Sequence, residues 1–270
     1  MSFILIITGC SKATLGNPPD PNKLIVHYID VGQADSILLQ VNNKNLLIDA
    51  GNYEDGAKVA TYLKKHGVKK LDYIIATHPH EDHIGGMSLI IKKFDVGNFY
   101  APKKINTTEC FEQMVNALKN KNIKINQAKN GVSLNLGLNT NCEMLAPNSN
   151  KYDDINNYSA VVKLNYGSTT FLFMGDAENI SEKEMIESGS NLSCDVLKVG
   201  HHGSSSSSSI EFLNLVSPKL AIISCGKGND YGHPHKQTLD KLKQKNIIIY
   251  RTDLNGTIIL QSDGTKIKKL

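Results

Sequence analysis

Six consecutive positions, His78 to His83, carry three histidines and two carboxylates inside the stretch THPHEDHIGG. Imidazole nitrogens and carboxylate oxygens suit borderline divalent ions such as zinc, iron, manganese or cobalt. In an extended or turning segment His78 and His80 point the same way, because they are two apart. Asp82 and His83 are adjacent, do not fit the same small site, and would serve a second ion beside the first. A single ion on the same residues, or a solvated surface cluster, is the alternative. Other candidates stand where apolar runs stop. They are Asp176 after TTFLFMG, His201 and His202 after CDVLKVG, and His233 in GNDYGHPH after KLAIISCG. Asp49 closes NLLI as a supporting carboxylate. In α/β sheets chemistry gathers at the carboxyl ends of strands, which gives these side chains one address.

The elements that must position them are legible as periodicity. The β-rich runs 24–29 and 36–41, and LLID after the turn VNNKN, predict hairpin strands. Apolar residues at 57, 59, 60 and 63 predict a helix over 54–66, stopped by Gly67. KKLDYIIATHPH predicts a buried strand, Leu71 to Ala76, whose end delivers the histidines, and HIGGMSLIIKKF starts the next helix. Gly85 and Gly86 would let backbone amides approach the site. Further helices are expected over 111–121, in SEKEMIES with Ser181 as its N-cap, in SIEFLNLVSP and in HKQTLDKLKQKN. Strands are expected in SAVVKLNYG, TTFLFMGD, CDVLKVG, KLAIISCG, IIIYRTD and GTIILQSDG. Mixed elements with hairpins at both chain ends predict an α/β (α+β) fold of two sheets between helices, not one doubly wound sheet. No G-x-G-x-x-G follows a strand and no Walker A sequence occurs, so no nucleotide cofactor is expected. No internal repeat is visible.

The chain has 270 residues, 40% of them hydrophobic, enough for one substantial core. Residues 23–270 read as one domain. The balance of 30 basic to 26 acidic side chains gives +4; scattered lysines describe a solvated surface rather than a dedicated basic groove. Five cysteines without a CxxC suggest neither a zinc knuckle nor a disulfide framework. MSFILIITGC is too short to span a bilayer, which takes about 20 residues. ITGC resembles a bacterial lipobox, which would make Cys10 the lipidated residue and residues 1–22 a signal remnant and polar tether. That reading puts the protein outside the cytoplasm, lipid-anchored to the bacterial cell membrane. A short packed strand is the alternative for the apolar run, and a cytoplasmic or freely secreted protein the fallback.

THPHEDHIGG matches the HxHxDH signature of the metallo-β-lactamase superfamily, and the chain resembles it closely. YIDVGQADSILL, LLIDAG, FMGDAE, LKVGHHGSSSSSS and GHPH followed by YRTDLNGTI resemble one branch of it. That branch includes the extracellular domain of competence protein ComEC (the ComEC/Rec2 group) and phosphorylcholine esterases. The matches run from about residue 26 to 260. The resemblance implies an αββα sandwich holding two divalent ions, zinc or manganese. It gives His78 and His80 to the first ion, Asp82 and His83 to the second, and Asp176 to both. Many members place another histidine between the signature and that aspartate; residues 84–175 contain none. The HHG motif is then expected to supply His202 to the first ion, with His201 supporting it or touching substrate; the swapped assignment is the alternative. His233 completes the second ion.

A water shared between two such cations is acidified into a metal-bridging hydroxide, so no serine nucleophile is needed. Asp82, Asp176 and His201 are the catalytic candidates. Ser204, Ser205, Asn157, Ser159 and His235 are candidate substrate contacts, His235 equally a helix cap. Ser206 to Ser209 read as a flexible run, and Tyr231 as a cover for the pocket. Asp35 and Asp49 support the ligands, and Gln33 helps hold the metal loop. The expected reaction is hydrolysis of a phosphodiester, either nucleic acid or a choline-bearing cell-surface glycan, by a free-standing catalytic domain. Another ester, or a non-catalytic metal-binding role, is the alternative. β-Lactam hydrolysis is disfavoured without the intervening histidine. A flavin-coupled diiron role is disfavoured because no glutamate stands at the ligand position.

Overall fold

The structure, a computed structural model, describes residues 20–270; Cys10 and its flanking tether lie outside the described residues. The amino-terminal half contributes β1 (Leu24–Tyr28), β2 (Ile37–Val41), β3 (Lys44–Ile48), β4 (Lys70–Ile75), β5 (Asp95–Ala101) and β6 (Ile125–Gln127). Next along the chain are β7 (Ser133–Leu134), β8 (Thr140–Ala146), β9 (Val161–Tyr166) and β10 (Thr169–Phe173). The last strands are β11 (Val196–Lys198), β12 (Leu220–Ile223), β13 (Ile248–Arg251), β14 (Ile258–Ser262) and β15 (Ile267–Lys269).

They form two sheets. One has eight strands in the order β15-β14-β1-β2-β3-β4-β5-β6, the other seven in the order β13-β12-β11-β10-β9-β8-β7. Each starts from antiparallel hairpins and then runs parallel, through β3 to β6 in one and β10 to β13 in the other. The chain thus repeats a topology that its residues do not repeat. Parallel strands need crossovers, and helices supply them on the outer faces. α1 (Gly56–Lys65), α3 (Met87–Lys93) and α4 (Glu109–Asn120) cover the first sheet. α5 (Asn179–Glu187), α6 (Ile210–Val216) and α7 (Lys236–Gln244) cover the second. The short α2 (Glu81–Ile84) and α8 (Thr252–Asn255) fill loops.

Between the sheets lies an apolar layer that includes Tyr28, Leu39, Val162, Phe171 and Phe173, all buried. The four layers, helix, sheet, sheet, helix, are those expected from the sequence. Among the described residues no helix is long and apolar enough to cross a membrane. One predicted cap differs: α5 begins at Asn179 after Glu178, leaving Ser181 buried inside the helix. The reason is that the Asn157 side chain accepts from the amides of Glu178 (3.3 Å) and Ser181 (3.2 Å), doing a cap's work from another loop.

Candidate metal centre

β4 stops at Ile75, and Thr77 anchors the loop beyond it. Its amide and hydroxyl donate to the Asp49 carboxylate (2.8 and 2.7 Å), and its carbonyl accepts from the amide of Ala160 across in the other sheet (2.9 Å). His80 then takes the N-cap position of α2, which carries Asp82 and His83 on a single turn. Gly85 and Gly86 serve this turn by close packing rather than by offering amides to the site. A Cβ on Gly85 would lie 2.3 Å from the Tyr53 amide nitrogen, and one on Gly86 2.3 Å from the Ala50 carbonyl oxygen.

From the second sheet come Asp176, just past β10, and the turn Gly200–Gly203, just past β11. Donor atoms of Asp82, His83, Asp176 and His202 all lie within 4.8 Å of one another. His83 Nε2 is 3.2 Å from Asp176 Oδ1, and His202 Nε2 is 3.1 Å from Asp82 Oδ2 and 3.5 Å from Asp176 Oδ2. Beside them His78 Nε2 and His80 Nδ1 stand 3.0 Å apart, with His78 Nε2 4.0 Å from Asp176 Oδ2. The Asp176 carboxylate therefore faces both sets.

Three of the rings are aimed by a partner on the far nitrogen, the usual way of orienting a metal-binding histidine. His83 Nδ1 donates to Asp49 (2.7 Å) and His202 Nδ1 to the Ser224 carbonyl (3.0 Å). His201 Nδ1 donates to Glu178 (3.0 Å), and its Nε2 lies 3.8 Å from Asp176 Oδ2. Asp35, Asp49 and His83 also bring donor atoms within 4.8 Å, but that cluster sits behind the first. Its carboxylates are engaged: Asp49 by Thr77 and His83, and Asp35 by the fully buried Lys198 at 2.7 Å.

The electrostatics describe a hole built for positive charge. Burial raises the Asp176 carboxyl, yet His202 and His83 outweigh it and hold the group well below the usual range. Burial likewise opposes charge on His202, but Asp176 and Asp82 lift it to about 10. His83 is raised well above normal for the same reason, with Asp49 adding to the effect. Protons would settle on these rings because the carboxylates demand cations. His83 Nε2 and Asp176 Oδ1 are both buried and make no hydrogen bond, so the hole has unused donor atoms turned inward. Those residues fit a divalent ion.

Several expected roles move. His202 stands with Asp82 and His83, not with His78 and His80. The expectation came from the resemblance, with His202 standing in for the intervening histidine that residues 84–175 lack. Instead both histidines take left-handed backbone (φ 48° and 52°), and Ser224 captures the His202 ring. His233 lies outside the cluster, on the cavity wall with its Nδ1 3.3 Å from Gln33 Nε2, and His202 stands beside Asp82 and Asp176 instead. Burial, His201 and His202 push His233 down to about 4, so it stays neutral.

Asn157 and Ser159 are fully buried. Asn157 clamps the start of α5, while the Ser159 hydroxyl accepts from the Asp176 amide (3.0 Å) and lies 3.3 Å from His78 Nδ1. Ser159 positions two ligands and Asn157 holds the helix start; neither lines the cavity. Ser204 is buried against Ser206 (2.9 Å), and Ser205 pairs with His235 Nδ1 through its amide (2.9 Å), with His235 at the N-cap position of α7. The serine run is pinned, since the Ser208 and Ser209 amides donate to the buried Glu182 carboxylate at 2.5 and 2.9 Å. The metal cavity, about 520 Å³, is lined by Asp82, Asp176, His80, His201, Gln33 and Tyr231, among others. Glu178 and Lys198 were not foreseen. Their signals were a second acid in FMGDAE and a lysine set between the apolar residues of VLKV.

Comparison with known proteins identifies the family. The profile of the metallo-beta-lactamase superfamily matches residues 29–227. ComE operon protein 3 of Bacillus subtilis is 34% identical over 251 residues, 86% of this chain and 32% of that protein. Competence protein ComA of Neisseria gonorrhoeae is 31% identical over 92% of this chain and 34% of its own length. The chain thus spans about a third of the length of these relatives. Among solved structures, the metallo-beta-lactamase fold protein YhfI of Bacillus subtilis superposes with a TM-score of 0.58 at 13% identity, over 88% of this chain and all of its own. Igni18, a metallo hydrolase of Ignicoccus hospitalis, gives 0.57 at 17% identity, over 87% of this chain and 98% of its own.

Proposed function

Because this chain belongs to the metallo-beta-lactamase superfamily, we propose that it is a dinuclear metal-dependent hydrolase acting on phosphodiesters, with nucleic acid as its substrate class. The observation that carries the reading is the buried cluster of Asp82, His83, Asp176 and His202, in which His83 Nε2 and Asp176 Oδ1 lie 3.2 Å apart and neither has a hydrogen bond to any other group. Asp82, His83, Asp176 and His202 would hold one ion; His78, His80 and Asp176 would hold the other. Zinc or manganese bound there would acidify a water and neutralise charge developing on a phosphoryl group. The chain's own residues do the rest. Asp49, Ser224 and Ser159 fix the ligating side chains. Glu178 accepts from His201 Nδ1, which leaves Nε2, on the cavity side, able to accept a proton from a water that attacks the substrate. Matches to a protein named for competence and to one named for recombination support nucleic acid over a choline ester.

The test is a screen of manganese- and zinc-loaded protein on bis-p-nitrophenyl phosphate, single- and double-stranded DNA, and phosphorylcholine esters. Hydrolysis of the generic diester and of DNA is expected, with Asp176→Asn losing both metal and turnover. No turnover of any diester with either metal would reject the reading. Attachment at Cys10 outside the cytoplasm is a separate proposal, supported by the ITGC sequence. A diacylglyceryl mass on a peptide starting at Cys10 tests it, and an unmodified Cys10 in membrane-free protein refutes it.

A further inference from the structure

A second cavity, about 280 Å³, opens past the carboxyl ends of β5 and β6 and differs from the metal cavity in charge. Lys103, Lys129, Gln127, Asn130, Asn148 and Tyr158 line it, and no carboxylate does. The metal cavity, by contrast, is lined by Glu54, Glu81, Asp82 and Asp176. Among the described residues neither Lys103 nor Lys129 has an acidic partner. Lys104 sits 4.9 Å above the Tyr158 ring, which adds a third positive charge to this wall.

The two cavities share their framework. Lys103 and Lys129 lie just past β5 and β6, at the same carboxyl ends of parallel strands that deliver His78 from β4. The loop bearing Lys103 and Lys104 is tied to the metal loop where Asn106 Nδ2 donates to the Pro79 carbonyl (2.8 Å). Tyr158 precedes Ser159, which holds the Asp176 amide, and comes two residues after Asn156, whose side chain lies 3.4 Å from His201 Nε2. A polyanion whose scissile group reaches the metal centre must lay its neighbouring phosphates on nearby surface. Lysines and amides are the groups that contact phosphate oxygens without reading bases.

We propose that this cavity seats a phosphate of a nucleic-acid strand next to the one at the metal centre. The proposal rests on the phosphodiesterase reading and names where the substrate runs. Its test is fluorescence anisotropy of a hydrolysis-resistant phosphorothioate oligothymidylate on the metal-loaded protein across a salt series. Lys103→Gln/Lys129→Gln is compared with wild type, and Lys92→Gln/Lys93→Gln, at the far end of α3, serves as a charge-matched control.

The cavity variant is expected to bind about tenfold more weakly at low salt. Its log Kd against log salt should be shallower by about 1.4, two charges at about 0.7 each on a single strand. An unchanged Kd and slope, or an equal loss in the control, overturns the proposal. Cleavage of bis-p-nitrophenyl phosphate by wild type is read separately. Diester cleavage without oligonucleotide binding overturns the cavity alone. Lysine-dependent binding without any diester cleavage overturns the hydrolase and supports the cavity as a binding site.

Discussion

At the scale of single residues, the geometry separates ligands from their supports. His202→Ala is expected to remove one bound ion per chain, while His233→Ala keeps the metal content of wild type; elemental analysis after gel filtration distinguishes the two. Asp49→Asn keeps the shape but weakens the hold on His83, and about 10- to 100-fold lower metal affinity should result, read by competition with a chromogenic chelator. The histidine signature and Asp176 were legible because their types are rare in apolar strand ends and their spacing is local. The partition of the HHG pair was not, because it depends on a left-handed turn and on the Ser224 carbonyl, which lies 22 positions further along the chain. Asn157 and Ser159 were singled out by type, but their partners are protein groups and not the cavity. Polarity marks a residue as needing partners, yet only the packing says whether those partners are substrate or protein.

Elements show the same division between local and distant causes. Helical spacing placed α1, α4 and α7, and short β-rich apolar runs placed the strands, since those patterns are written within a dozen residues. The serine run looked mobile because its anchor, Glu182, lies on another helix. Glu182→Ala should strand the Ser208 and Ser209 amides and cost about 1–3 kcal/mol, measurable by urea denaturation. On β1, His27 is buried, its Nδ1 2.9 Å from the Tyr62 hydroxyl on α1, and its pKa falls to about 3 through burial and the neighbouring His66. Folded protein leaves this ring neutral while unfolded chain protonates it near pH 6.5. The unfolded state therefore binds the extra proton, and stability falls as pH drops below that value. About 2 kcal/mol should be lost from this group between pH 6.5 and 5. Urea midpoints at the two pH values give the slope. His27→Phe should flatten it; an unchanged slope would remove His27 as the cause.

On the scale of the whole molecule, the centre is assembled across the seam between the sheets. His78 to His83 hang from the first sheet, Asp176 and His202 from the second, and the Ala160–Thr77 hydrogen bond stitches the halves beside them. Ions bound there clamp one half to the other, so saturating metal at about 1,000 times its Kd should add about 4 kcal/mol to stability. Calorimetry with and without a chelator checks this, and a melting temperature indifferent to metal would mean the seam is not bridged. The twofold repeat of topology escaped the sequence because it is a repeat of strand order, with no residue pattern to betray it. Divided at the Lys129–Gly131 turn between β6 and β7, the chain would yield two pieces, each with an incomplete ligand shell. β1 and β14 would then have to find each other for either to matter. Hydrolysis recovered on mixing such fragments would make the protein its own reporter of reassembly.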